Sequence, residues 1–255
     1  MDAAVARRRA RSGSGPTDGT HAHFQRAGFG RQRGTPVSRG RREYQPPAPP
    51  LVRARGTASH FSLPPHPVNP IFAAALEVQR FCEGRDFSFC FIGGLALQRW
   101  GEPRLTQDVD LTVISGFGRE PEYADQFLSV FSARIPDARE FALRHRVLLL
   151  LGRAGIPLDV ALGAMPFEER AVERSSPFAV AESVSLRTCS AEDLIVFKAF
   201  ADRAQDWIDI EGIIIRQHRR IDARLIWQEL IPLLALKEDR HTEPRIRRLL
   251  ENRTS

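Results

Sequence analysis

A regular spacing of hydrophobic and polar positions begins only at residue 69. Asn69-Pro70 reads as a helix start, a capping side chain followed by proline at the first helical position. The apolar stripe Phe72, Ala75, Leu76 and Val78 carries that helix to Gly84. Residues 87–92 are aromatic and β-prone, and they run into Gly93-Gly94 and a helical stretch, 95–100, which together predict a strand-turn-helix unit. Residues 108–114, D-V-D-L-T-V-I, read as a second strand, 122–131 as a helix, and 146–151 with 157–162 as two strands joined by 152–155. From Ser190 the period is helical. Ser190 to Asp193 is a capping signal with Leu194, Phe197, Phe200 and Ala201 on the apolar face behind it, and further helices are expected over 207–217, 223–236 and 243–252. Mixed strands and helices followed by helices alone predict an α+β fold, a mixed β-sheet with flanking helices and a small C-terminal helical domain. The expected divisions are a tail over 1–68, a sheet domain over 69–188 and a helical domain over 189–255.

At 255 residues and 42% hydrophobic the chain can bury an ordinary core without disulfide support. No stretch approaches the roughly 18 apolar residues of a membrane span; the longest candidate is 147–151. Cys82, Cys90 and Cys189 are odd in number and lack C-x-x-C spacing, which argues against both a zinc site and a disulfide framework and predicts a reducing cytoplasm. Charge is divided unevenly. Residues 1–70 hold twelve Arg and no Lys against Asp2, Asp18 and Glu43, a balance of +9, whereas the remainder is −3. The basic character is therefore a property of the tail. That tail also carries ten of the 18 prolines and eight of the 18 glycines, a composition that predicts disorder. Its start has no apolar segment behind Arg7-Arg8-Arg9, so it is not a secretory signal. An arm touching RNA or DNA, a transit peptide, a functionless extension and a later translation start near Val68 remain alternatives for it.

The candidate chemistry is acidic. Asp108 and Asp110 flank Val109 at the start of a predicted strand, whose two-residue period puts both carboxylates on one face. They repel each other unless a cation lies between them, and an all-oxygen set suits Mg²⁺ or Mn²⁺. Taken alone, this D-x-D is better read as a solvated strand end. Its neighbourhood changes that reading: Gly93-Gly94 ends a strand and opens a helix, where backbone N–H groups can cradle phosphate, though an ordinary tight turn would look the same. Asp159 lies in the apolar strand I-P-L-D-V-A, where a carboxylate is costly unless paired or bound to a metal; a strand-end position is the alternative. Three carboxylates and a phosphate-cradling turn are the parts of two-metal phosphoryl transfer. His145 and His218 have no orienting partner in the sequence pattern and read as solvated or core-edge residues, and Cys189 reads as a small buried hydrophobe.

Residues 93–113, GGLALQRWGEPRLTQDVDLTV, resemble the G-G and R-x-T-x-D-h-D-h signature (h apolar) of nucleotidyltransferases of the DNA polymerase beta superfamily, in particular the AbiEii/AbiGii toxin type. Residues 192–213, EDLIVFKAFADRAQDWIDIEGI, are similar to that group's second block, and the resemblance spans about 70–215. It implies a nucleotidyltransferase-like fold and a metal-dependent enzyme that moves NMP from an NTP to a hydroxyl on RNA, protein or a small molecule. Mg²⁺ or Mn²⁺ would be the cofactor and NTP the substrate, with tRNA or protein as acceptor, a cognate antitoxin as partner and no membrane. By the same resemblance Asp108, Asp110 and Asp159 would be catalytic and metal-ligating. Gly93, Gly94, Arg104, Thr106 and Lys198 would bind the nucleotide, Lys198 being one of two lysines in the chain with Lys237. Asp206 and Asp209 read as a structural patch near Arg203. The alternative function is a binding or regulatory protein that keeps this fold without turnover.

Overall fold

The computed structural model describes residues 69–182 and 184–252. The expected tail, 1–68, lies outside the described residues, as do 253–255.

Helix α1 (Pro70–Glu83) starts as its sequence requires: the Asn69 side chain accepts from the Ile71 backbone N–H at 3.0 Å, with proline in the first turn. Strand β1 (Phe89–Phe91) is wholly buried and feeds helix α2 (Gly93–Trp100). Then come β2 (Val109–Ile114), α3 (Glu120–Leu128), the two-residue β3 (Ser132–Ala133), α4 (Ala138–His145), β4 (Val147–Leu151) and β5 (Pro157–Gly163). Helix α5 (Pro166–Glu173) precedes the hairpin β6 (Ser176–Ala181) and β7 (Val184–Thr188). Four helices close the described chain: α6 (Ala191–Ala201), α7 (Ala204–Gln217), α8 (Ala223–Lys237) and α9 (Thr242–Asn252). The expected elements are present with shifted ends. The sequence pattern left α4, α5, β3 and the β6–β7 hairpin unread.

The seven strands form one mixed sheet in the order β3-β4-β5-β2-β1-β7-β6. β2 is central, parallel to β5 and antiparallel to β1, while β4 runs antiparallel to β5. Strand alternation divides the two faces. Val109, Leu111 and Val113 of β2, Leu148 and Leu150 of β4, and Leu158, Val160 and Leu162 of β5 are buried on one face with residues of α1, α3 and α4. The other face carries Asp108, Asp110 and Asp159. A second apolar cluster joins Cys90, Ala96, Leu97, Phe167 and Val172 to α6, α7, α8 and α9, so the helices after residue 190 share their core with the sheet half. Cys82, Cys90 and Cys189 are buried free thiols, and burial pushes the Cys82 thiol up to about 12, far from a reactive thiolate. His145 packs its ring against Phe141. Among the described residues, no helix is long and apolar enough to cross a membrane.

Candidate active site

Register brings the distant acids together. In the parallel β2–β5 pair, Asp110 lies directly opposite Asp159, so the two side chains share a face. Asp108 stands immediately before β2, two residues from Asp110. One carboxylate oxygen from each of Asp108, Asp110 and Asp159 lies within 4.8 Å of the others, and all three residues are half-buried.

The glycines act on these carboxylates through the space they leave. Gly93 has φ +54°, and a Cβ there would come within 2.1 Å of Asp110 Oδ2. A Cβ on Gly94 would meet Thr106 Oγ1 at 2.3 Å. The missing side chains therefore let Asp110 and Thr106 settle against the first turn of α2, and the Ile92 N–H donates to Asp110 O at 3.0 Å to fix the strand beneath. Thr106 in turn contacts Asp108: its hydroxyl lies 3.1 Å from Asp108 Oδ1 and 3.2 Å from the Asp108 carbonyl oxygen. The resemblance assigned Thr106 to the nucleotide; the structure places it on a carboxylate.

Gly93→Ala is expected to be severe. The left-handed backbone costs an Ala about 1–2 kcal/mol, and the added methyl displaces the Asp110 carboxylate. Gly116→Ala is the matched control, because Gly116 also has positive φ, +71°, but nothing lies within 4 Å of its Cβ position. Thermal unfolding should show the left-handed cost in both variants and a further loss in Gly93→Ala from the contact with Asp110, whereas activity should fall only in Gly93→Ala. Equal activity in the two would remove the proposed steric role of Gly93.

A charged cluster borders the acids. Ser190 caps α6 by accepting from the Asp193 N–H at 3.0 Å, and Asp202 ends that helix in a left-handed conformation while accepting from Trp207 Nε1 at 2.7 Å. The resulting turn sets α6 against α7. Lys198 is thereby buried with its Nζ 2.6 Å from Asp209 Oδ2 and 3.2 Å from Asp206 Oδ1. Arg104 makes two 3.0 Å hydrogen bonds to Asp209, Arg203 holds Asp206 at 2.5 and 3.1 Å, and Gln205 adds a third donor to Asp209. Burial opposes ionisation of Asp209, but the bonds from Arg104, Lys198 and Gln205 prevail and hold its carboxyl below the ordinary range. Arg203 is held charged first by its bond to Asp206, against desolvation, and then by the negative charges of Asp206, Asp110 and Asp108, which places the cluster beside the acidic pair. Lys198 and Arg104 were expected at the phosphates. Here both are engaged with Asp209, and Asp206 is held by Lys198 and Arg203.

Sequence reasoning missed Arg134. Its Nη2 lies 2.6 Å from Asp159 Oδ1, an ion pair between two half-buried side chains. No sequence spacing links the two residues.

The donor set fits a small divalent cation. Two oxygens bound to one Mg²⁺ at about 2.1 Å can stand no more than about 4.2 Å apart, so the observed cluster needs only a slight closure to share an ion. The ligands are all oxygen and carry excess negative charge, as such an ion requires.

Asp108 just before β2, Asp110 on it, Asp159 on the parallel neighbour β5 and the glycine turn opening α2 thus meet on one face of a mixed sheet. The model of the family described as "Nucleotidyl transferase AbiEii toxin, Type IV TA system" matches residues 81–254, well over half of the chain, and the chain belongs to that family. The matched span reaches past the two resemblance blocks to include the C-terminal helices. No curated protein matches. Similar solved structures include an antigenic nucleotidyltransferase-like protein from Paracoccidioides brasiliensis, 13% identical with TM-score 0.41, covering 67% of this chain and 89% of that one. The lincosamide antibiotic adenylyltransferase LnuA, solved with lincomycin, is 11% identical with TM-score 0.38 and covers 55% and 94% of the two chains. ANT(2″)-Ia in complex with adenylyl-2″-tobramycin is 16% identical with TM-score 0.42 and covers 65% and 98%.

Proposed function

We propose that this nucleotidyltransferase moves NMP from an NTP to an acceptor hydroxyl at Asp108, Asp110 and Asp159, as the toxin of a toxin–antitoxin pair with a cognate antitoxin. The observation that carries the reading is the convergence of the three carboxylate oxygens within 4.8 Å beside the Gly93 turn. In the reaction the acceptor oxygen bonds to the α-phosphorus, the bond from that phosphorus to the bridging oxygen of the β-phosphate breaks, and pyrophosphate leaves with the electron pair. Mg²⁺ or Mn²⁺, when bound, would neutralise the phosphates and the charge on the leaving oxygen. Asp108 and Asp110 would hold the ions. Asp159, on the next strand, would ligate or take the acceptor's proton. Backbone N–H groups at Gly93 and Gly94 would face the triphosphate. Arg104 and Lys198 would reach phosphate by exchanging part of their contact with Asp209, and Thr106 would act by orienting Asp108.

The test incubates the full chain with each α-labelled NTP, Mg²⁺ or Mn²⁺, and cell extract, following both labelled acceptor and released pyrophosphate. Label should transfer from a preferred NTP to one acceptor class, with EDTA abolishing the signal. Absence of transfer from all four NTPs, together with nucleotide binding that survives Asp108→Asn/Asp110→Asn, would instead favour the turnover-free binding protein.

A further inference from the structure

Each of the first two carboxylates has an identifiable holder: Thr106 sits on Asp108, and the bare backbone of Gly93 seats Asp110. Asp159 comes from the neighbouring strand β5. Three like charges within 4.8 Å push one another apart. The sheet supplies a counterweight. Arg134 follows directly on β3, and its N–H donates to Leu149 O at 3.0 Å. Leu149 is opposite Asp159, and Asp159 is opposite Asp110, so Arg134, just past β3, is in line with a row of Leu149, Asp159 and Asp110 across β4, β5 and β2. With strands about 4.8 Å apart, Arg134 is two strands from Asp159, a gap that its long side chain crosses over Leu149. It contacts Oδ1 at 2.6 Å and is itself largely covered, with 28% of the side chain exposed.

We propose that Arg134 is the positioning residue for Asp159: its guanidinium restrains one carboxylate oxygen so that Asp159 stays turned toward Asp108 and Asp110 when a divalent cation is to be shared. The inference rests on the reading of the acidic cluster as a divalent-cation centre. Arg134 is assigned its role through its contact with Asp159 alone. Its effect passes through the orientation of Asp159, as a partner behind a metal ligand acts, and such partners change metal affinity or activity by about 10–100-fold when removed. Coulomb's law acting alone predicts the reverse sign, because deleting a positive charge beside the acids would tighten cation binding. The sign of the change therefore separates a positioning residue from a competing cation.

The experiment titrates Mn²⁺ into the full chain, reading free ion by electron paramagnetic resonance, for wild type, Arg134→Gln, Arg134→Lys and Asp108→Asn/Asp110→Asn. Thermal unfolding and steady-state pyrophosphate release accompany each titration. Arg134→Gln should bind Mn²⁺ about tenfold more weakly, lose kcat and leave KM for the NTP within about twofold. Arg134→Lys, which restores a charge at similar reach, should recover a large part of both losses, a pattern that a general loss of packing would not produce. Unchanged or tighter Mn²⁺ binding in a folded Arg134→Gln overturns the proposal while leaving the acidic centre standing. Should Asp108→Asn/Asp110→Asn bind Mn²⁺ as wild type does, the cation-centre reading fails, and this inference with it.

Discussion

Asp108→Asn/Asp110→Asn is expected to lower nucleotide transfer by about 10³-fold or more while leaving the protein as stable as wild type, or slightly more so. The two halves of this result have one cause. Two carboxylates on the same strand face with a third within 4.8 Å are a concentration of like charge that the folded chain must tolerate. Asn keeps the shape, removes the charge and relieves that repulsion. The same substitution removes the ligands that would hold the cations, and cation stabilisation of a phosphoryl-transfer transition state is worth several kcal/mol, with each 1.36 kcal/mol a factor of ten in rate. Stability bought at the expense of activity is the signature of a site built for a bound cation. Label transfer measured beside urea unfolding checks both halves. Retention of more than about a tenth of wild-type activity would take the reaction away from these carboxylates, and a large loss of stability would mean that they serve the fold.

What could be read along the chain is what is local. The Gly93-Gly94 turn, the D-x-D alternation and the Ser190 cap each lie within a few residues, and each is present in the structure. Asp159 was marked only by its apolar surroundings, and its place opposite Asp110 depends on the pairing of two strands separated by about 45 residues, which no local pattern encodes. Arg134 is further from view, since β3 has two residues and no alternation to read. The β6–β7 hairpin was missed for related reasons: Pro177 breaks up the strand-like run, and Glu182 is not a hairpin-turn residue. Thr106 shows a different limit. Its presence in the motif was legible, but its hydroxyl could as well have faced a nucleotide, and only the close approach allowed by Gly94 directs it to Asp108.

The cluster at Lys198 predicts an asymmetry that separates architecture from chemistry. Lys198, Arg104 and Arg203 supply three positive charges against the two negative charges of Asp206 and Asp209. Lys198, Asp206 and Asp209 are nearly inaccessible, while the two arginines reach solvent. Lys198→Met removes one of the three positive charges, keeps the stem's volume, and leaves Asp209 with Arg104 and Gln205 and Asp206 with Arg203, so its cost to folding should be at most about 1–2 kcal/mol. Asp209→Ala leaves the Lys198 ammonium buried with Asp206 alone and releases Arg104, and removing one partner from a buried pair costs about 3–5 kcal/mol. Asp209 has its pKa depressed in the fold, so the unfolded chain takes up its proton first as the pH falls. Its contribution is complete above about pH 4 and is lost below that as the folded carboxylate is protonated, so the gap between wild type and Asp209→Ala should narrow in acid. Urea unfolding of both variants at neutral and acid pH tests the order. If Lys198→Met unfolds as readily as Asp209→Ala, the ammonium is a keystone of the α6–α7 turn. If it stays folded but loses transfer, the buried lysine is held in readiness for the phosphates by the two aspartates that surround it.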